Sequence, residues 1–111
     1  VIAEFALPGA IINGDIDRWA APLAGLVFGW AISASVAPSG SSAIVDVQDS
    51  SNASLFDASE RPTLPVGQVF ASYAPANWAS AQPSFSAERL RAIVIAANSA
   101  QNVSVSLLVG Q

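Results

Sequence analysis

The stretch LVFGWAISASV, residues Leu26 to Val36, decides how this chain is read. Leu26, Phe28, Trp30, Ile32, Ala34 and Val36 fall at every second position, with Val27, Gly29, Ala31, Ser33 and Ser35 between them. Successive side chains of an extended strand point to opposite faces, so this spacing puts the bulky set on one side and the small or polar set on the other. On a helix the same residues would scatter around the circumference. The segment is predicted to be a strand. A longer window, Trp19 to Val36, carries no charge over eighteen residues and approaches the length that spans a bilayer. Pro22, Gly25 and Gly29 interrupt it and its second half alternates, so a membrane helix is not expected.

The pattern continues toward the C-terminus. Pro38, Ser39 and Gly40 supply a turn, after which Ala43, Val45 and Val47 alternate with Ile44 and Asp46. Asp49-Ser50-Ser51-Asn52 reads as a hairpin connection, and Ala53 to Phe56 as a short strand pairing back. Arg61 to Gly67 holds two prolines, which remove backbone donors and force extended neighbours, so it cannot be helix interior. Gln68 to Tyr73 is a further strand, and Ala74 to Ser86 a long loop carrying Trp78. Leu90 to Ala97 fits a helical stripe, but the β-branched run Ile93-Val94-Ile95 favours a strand. Val103, Val105, Leu107 and Val109 alternate again, and Ile2 to Leu7 is a candidate first strand ended by Pro8-Gly9. About seven or eight short antiparallel strands with turns every 8–12 residues belong to an all-β fold, a β-sandwich or jelly-roll-like domain. We read 1–111 as one domain, with 1–25 as a candidate N-terminal arm or interface segment.

Composition narrows the chemistry. The chain contains no His, Cys, Met or Lys; its four cationic residues are all arginine. The usual zinc sets and the Ser-His or Cys-His nucleophile pairs therefore cannot be assembled, nor can a Schiff base or a Ser-Lys dyad. No disulfide is available. A carboxylate pair of the glycosidase kind needs only Asp and Glu and survives this sieve. Net charge is −4, which argues against nucleic acid and anionic membrane as partners. Charged residues make up only 11% of the chain, against about 25% in ordinary soluble domains. Such a surface is either rich in Ser, Asn and Gln or covered by other chains. The N-terminus shows no basic start followed by an apolar run, so no signal peptide is read, and the beginning at Val1 is that of a processed chain or a piece of a longer one.

The run APSGSSAIVDVQDSSNASLFDASERPTLPVG, Ala37 to Gly67, resembles a β-sandwich module of phage tail, fibre and head-surface proteins. The likeness is carried by Ala37-Pro38-Ser39-Gly40, Ile44-Val45-Asp46-Val47, Leu55-Phe56 and Arg61-Pro62-Thr63-Leu64 with Gly67, and extends to the strand pair Leu90–Ala97 and Val103–Val109. The hairpin Asp49 to Asn52 lacks the family's Asn-Gly turn, and Ala87-Glu88-Arg89 stands where the family has Ala-Gly-Asp. The resemblance implies a non-enzymatic virion protein without cofactors, on the outer surface of a capsid or tail. It would act as a decoration or cement module, expected as a homotrimer, bridging major capsid or tail subunits. The alternative is a carbohydrate-binding or tail-fibre host-recognition module.

Several residues invite a functional reading. Asp15 and Asp17 beside Arg18 could hold calcium or act as an acid/base pair; two acids are few for a hard cation, and a polar turn with Arg18 paired to an acid is the expected role. Asp46 sits in an otherwise apolar strand, where it could join Asp49 or Asp57 as a hydrolytic pair or pin Arg61 against the sheet. We expect the structural pair Asp46–Arg61. Trp78, Tyr73 and Phe85, on or beside the long loop, are the candidate interface residues, able to stack on a sugar or enter a neighbouring subunit. Trp19 and Trp30 read as core. Two glycosylation sequons, at Asn52 and Asn102, are read as chance.

Overall fold

A computed structural model describes all residues, 1–111. Nine strands form: β1 (Ile2–Ala10), β2 (Ile16–Ala20), β3 (Gly25–Ser33), β4 (Ala43–Gln48), β5 (Thr63–Leu64), β6 (Phe70–Tyr73), β7 (Ser84–Phe85), β8 (Arg89–Ala96) and β9 (Gln101–Gly110). The only helical element is a three-residue 3-10 turn, Ala58–Glu60, which Asp57 caps by accepting from the Ser59 amide. One sheet has the order β1-β9-β3-β6, with β7 also pairing β3; the other has the order β2-β8-β4-β5. All pairings are antiparallel. The expected β-sandwich is therefore present, with nine strands rather than seven or eight. No helix is long and apolar enough to cross a membrane.

The core lies between the sheets and is built by alternation. Ala3, Phe5 and Leu7 of β1, Val103, Val105, Leu107 and Val109 of β9, Val45 and Val47 of β4, and Leu90, Ala92 and Val94 of β8 all point inward and are buried. Each buried Val or Leu contributes about 1.5–3 kcal/mol of burial free energy, so these strands carry most of the stability. The segment Leu90–Ala97 is the strand that its β-branched centre implied. Between β8 and β9 the chain steps from one sheet to the other at Asn98 and Ser99, both at positive φ (46° and 67°), with Ala97 and Ala100 buried on either side.

The deciding stretch contains a correction. β3 pairs Val27 with Val109 and Gly29 with Leu108, leaving Phe28 as an extra residue in a β-bulge. A bulge shifts the alternation by one. Trp30 and Ile32 face inward as expected, but on the other side of the bulge Val27 is the buried residue, and Leu26 and Phe28 are exposed. Nothing in the alternation itself marks the slip, because Leu-Val-Phe is apolar throughout.

Three further expectations change. Residues 1–25 are no arm: β1 pairs β9 along its length and β2 pairs β8, so both are woven into the sandwich. β1 also continues past Pro8-Gly9, through a register shift between Leu7 and Ala10 where Gly9 has φ 72° and donates its amide to Asn102 Oδ1 (2.7 Å). Ala53 to Phe56 is not a full strand. Its backbone meets β4 only at the Gln48–Ser54 bridge and the Leu55 amide to Val47 carbonyl bond (2.9 Å).

Candidate functional site

Two carboxylates are buried, and both hold the chain together. Asp46 points away from the Val45 and Val47 side chains and is 1% exposed. It is covered by the segment that follows β4: Ser54 Oγ donates to its Oδ1 at 2.6 Å, Gln48 Nε2 to its Oδ2 at 3.3 Å, and Arg61 Nε lies 3.4 Å from Oδ1. The structure thus brings Asp46 and Arg61 together. It is an ion pair without a directed hydrogen bond, since Arg61 Nε has no hydrogen-bond partner. Asp49 and Asp57 do not join it. Asp49 accepts the Ser51 and Ala53 amides within its own turn, and Asp57 accepts from Ser59. Those Ser59 bonds hold the Asp57 carboxyl below its usual pKa.

Glu60, which the sequence did not single out, is the second buried acid, 5% exposed. Its Oε2 accepts from the Tyr73 hydroxyl (2.7 Å) and its Oε1 from the Ala79 amide (2.9 Å), while its backbone carbonyl accepts from Trp30 Nε1 (2.8 Å). One residue thus ties β3, β6 and the 74–83 loop together. The hydrogen bond to Glu60 raises the Tyr73 phenol above its ordinary pKa, because ionising it would give up the proton that the bond uses; burial and the Glu60 charge push the same way.

This arrangement relocates the candidate interface aromatics. Trp30, Tyr73, Trp78 and Phe56 form a chain with ring centroids 5.5, 5.7 and 5.9 Å apart. Tyr73 and Trp78 are half-buried in that chain, and Phe85 is buried edge-on to Trp19 at 6.2 Å. Phe85 is therefore corrected from surface to core, and the Tyr73 and Trp78 rings are packed over one side of the sandwich instead of projecting from the loop. The reason is local: a Pro-bounded loop lets Trp78 fold back where Glu60 and Phe56 receive it. Trp19 is half-buried and Trp30 buried.

Asp15 and Asp17 serve separate tasks. Asp15 Oδ2 accepts the Ile12 amide in its turn, and Asp17 Oδ2 accepts the Ala6 amide of β1 (2.8 Å). The Asp17 bond occupies a donor on the free edge of β1, which discourages addition of a foreign strand. No group of three or more acidic, His or Cys side chains is placed to share a metal ion. The expected Arg18–acid pair does not form: Arg61–Asp46 is the only ion pair in the chain.

The most distinctive surface is the outer face of the β1-β9-β3-β6 sheet. Its cross-strand rows read Ile2–Leu108–Gly29, then Glu4–Ser106–Ala31–Ser72, then Ala6–Ser104–Ser33–Phe70. Glu4 is the only charge among these residues. Ile2, Leu108 and Phe70 are exposed, and the bulge adds Leu26 and Phe28. Phe28 lies flat along β9 over Gly110, where a Cβ would come within 2.4 Å of its ring. Beside it opens an apolar groove of about 590 Å³ lined by Leu26, Phe28, Gly110 and the edge of Phe85. A second, of about 210 Å³, lies between Ile2, Leu108, Ala31 and Tyr73.

No family model matches this chain, and no curated protein matches its sequence. Solved structures do. The Drosophila NLP-core, described for its pentamer formation and histone binding, superposes over 100% of this chain and 99% of its own, with a TM-score of 0.56 and 11% identity. A chain of the capsid asymmetric unit of cyanophage Pam1 superposes over 97% of this chain and 79% of its own, with a TM-score of 0.53 and 14% identity. At such identities the likeness establishes the class, a β-sandwich of a type that occurs both in a pentamer-forming protein and in a phage capsid.

Proposed function

We propose that this chain is a non-enzymatic structural protein of a phage particle, a decoration or cement module that binds and bridges coat subunits on the outside of the head. The observation that carries the reading is the nearly uncharged outer face of the β1-β9-β3-β6 sheet, apolar at its ends and flat with Ser and Ala at its centre. Contiguous exposed apolar residues such as those at its ends are often functional, marking contact sites. Four strands about 4.8 Å apart and about seven residues long present roughly 440 Å² in projection. A standard interface takes about 800 Å² from each partner, so this face supplies only part of one, and further contacts from neighbouring copies or a second coat subunit complete it. Homotrimeric assembly on the particle meets that need. The non-enzymatic reading is supported by the buried carboxylates, Asp46 and Glu60, whose oxygens are both engaged in holding the fold. The sugar-binding alternative loses the platform expected of it, since Tyr73 and Trp78 pack on each other.

The test is copy counting by mass spectrometry on purified particles, followed by rebinding to stripped particles. We expect a copy number in multiples of the coat subunits, and loss of rebinding in the double variant Leu26→Ser, Phe28→Ser with the fold intact by circular dichroism. Absence from the particle, or rebinding of the variant as well as the native chain, would refute the proposal.

A further inference from the structure

The outer face of the other sheet carries a different signal. β2 and β8 pair Arg18 directly with Arg91 and Ala20 with Arg89, and Arg89 and Arg91 share a face two residues apart on β8. Three of the four cations of an acidic chain therefore stand within about 7 Å of one another by strand spacing. Like charges directly opposed across a ladder destabilise it. The fold could relieve this with its own acids, but does not. Asp49 faces the Ser51 and Ala53 amides. Glu88 accepts from the Ser50 amide and hydroxyl and from the Ser86 amide. Neither comes within ion-pair distance of a guanidinium. Arg91 Nε donates to Gln48 (2.8 Å), which fixes the side chain and leaves its terminal nitrogens free. Arg18 and Arg89 are exposed and have no partner within the chain.

These side chains surround a recess of about 170 Å³, lined also by Asp49, Ser50 and Asn52 and by no apolar residue. The volume suits a small planar anion. With Asp49 and Glu88 nearby, the local excess is a single positive charge, too little for a polyanion and enough for one carboxylate. The rest of the chain offers no lysine and only the committed Arg61, so no basic track leads away along which a nucleic-acid backbone could lie.

We propose that Arg18, Arg89 and Arg91 form a receptor for the carboxylate of an Asp or Glu side chain on an exposed segment of a partner protein. Guanidinium forks match a carboxylate in two parallel hydrogen bonds, and a bound carboxylate cancels the repulsion that the empty cluster carries. The site gives orientation more than strength, because exposed charge pairs contribute little individually. It lies on the opposite sheet from the apolar face, and it does not depend on the partner being a coat protein.

The test uses the full chain labelled with nitrogen-15, in which only four arginine Nε–Hε signals occur. A blocked tetraglutamate peptide is titrated at low ionic strength, with inorganic phosphate and single-stranded DNA as parallel arms. We expect the peptide to shift the Arg18, Arg89 and Arg91 signals and leave Arg61 in place. Arg18→Gln should weaken the binding about two- to fivefold while unfolding no earlier than the native chain. Four signals that stay still or move alike would overturn the proposal. So would a shift with phosphate but not peptide, or tighter binding of DNA. Early unfolding of Arg18→Gln would also overturn it, by showing a structural partner for that arginine.

Discussion

Replacing Asp46 with Ala tests whether a buried carboxylate organises the β4–β5 connection. The side chain is 1% exposed and holds Ser54 at 2.6 Å, Gln48 at 3.3 Å and Arg61 at 3.4 Å. Removing one member of a fully buried ion pair costs about 3–5 kcal/mol. Arg61 is 29% exposed, so its guanidinium can turn to water, and we discount the loss to about 2–3 kcal/mol. With a urea slope of about 1.5 kcal/mol per molar for a domain of this size, the midpoint should fall by about 1.3–2 M. Asp46→Asn keeps an acceptor for Ser54 and should lose only about 1 kcal/mol. Urea unfolding followed by tryptophan fluorescence reads these differences directly. A double-mutant cycle with Arg61→Ala should return a coupling of about 1 kcal/mol. A midpoint for Asp46→Ala within about 0.3 M of the native chain, or a cycle that closes to zero, would refute the argument that this pair pins the segment.

Two further outcomes follow from close contacts. Tyr73 is the only tyrosine, so its ionisation is visible in ultraviolet absorbance; it should titrate above 10.0, and Glu60→Gln should bring the midpoint back down. The same shift stabilises the fold fully below the unfolded tyrosine pKa, with the benefit lost as pH rises through the folded value, so stability should fall on going above about pH 10 and less so in Glu60→Gln. Gly29→Ala would place a Cβ 2.7 Å from the Tyr73 carbonyl oxygen and 3.0 Å from Ala74 Cβ, and should cost about 1–3 kcal/mol, read as a lower thermal midpoint. An unchanged midpoint would mean that the β3–β6 edge slides freely.

The sandwich was legible wherever alternation was clean. β4, β8 and β9 follow the valine and leucine spacing, and Asp46 stood out because a charge between two valines needs a partner. β2 was hidden because its inward positions are Asp17 and Trp19 and its outward ones Ile16, Arg18 and Ala20, a pattern without an apolar face. Its stability comes from β8 and from the Asp17 bond to β1. Glu60 gave no signal, since an acid among Asp57, Ser59 and Arg61 reads as solvated loop; only the folding of that loop between Trp30 and Tyr73 buries it. The loop aromatics misled for a related cause. Periodicity reports which side of a strand is buried and is silent about where a thirteen-residue connection lands.

The extra residue in β3 separates two jobs that a regular strand would have to share. Because Phe28 has no inward counterpart, the groove beside Gly110 can be reshaped by changing what stands there while Val27 and Trp30 keep filling the interior. Deleting it would close the bulge and remove one wall of the groove, with Val27 still opposite Val109. Variation at this single point can therefore reshape the outer face at little cost to folding.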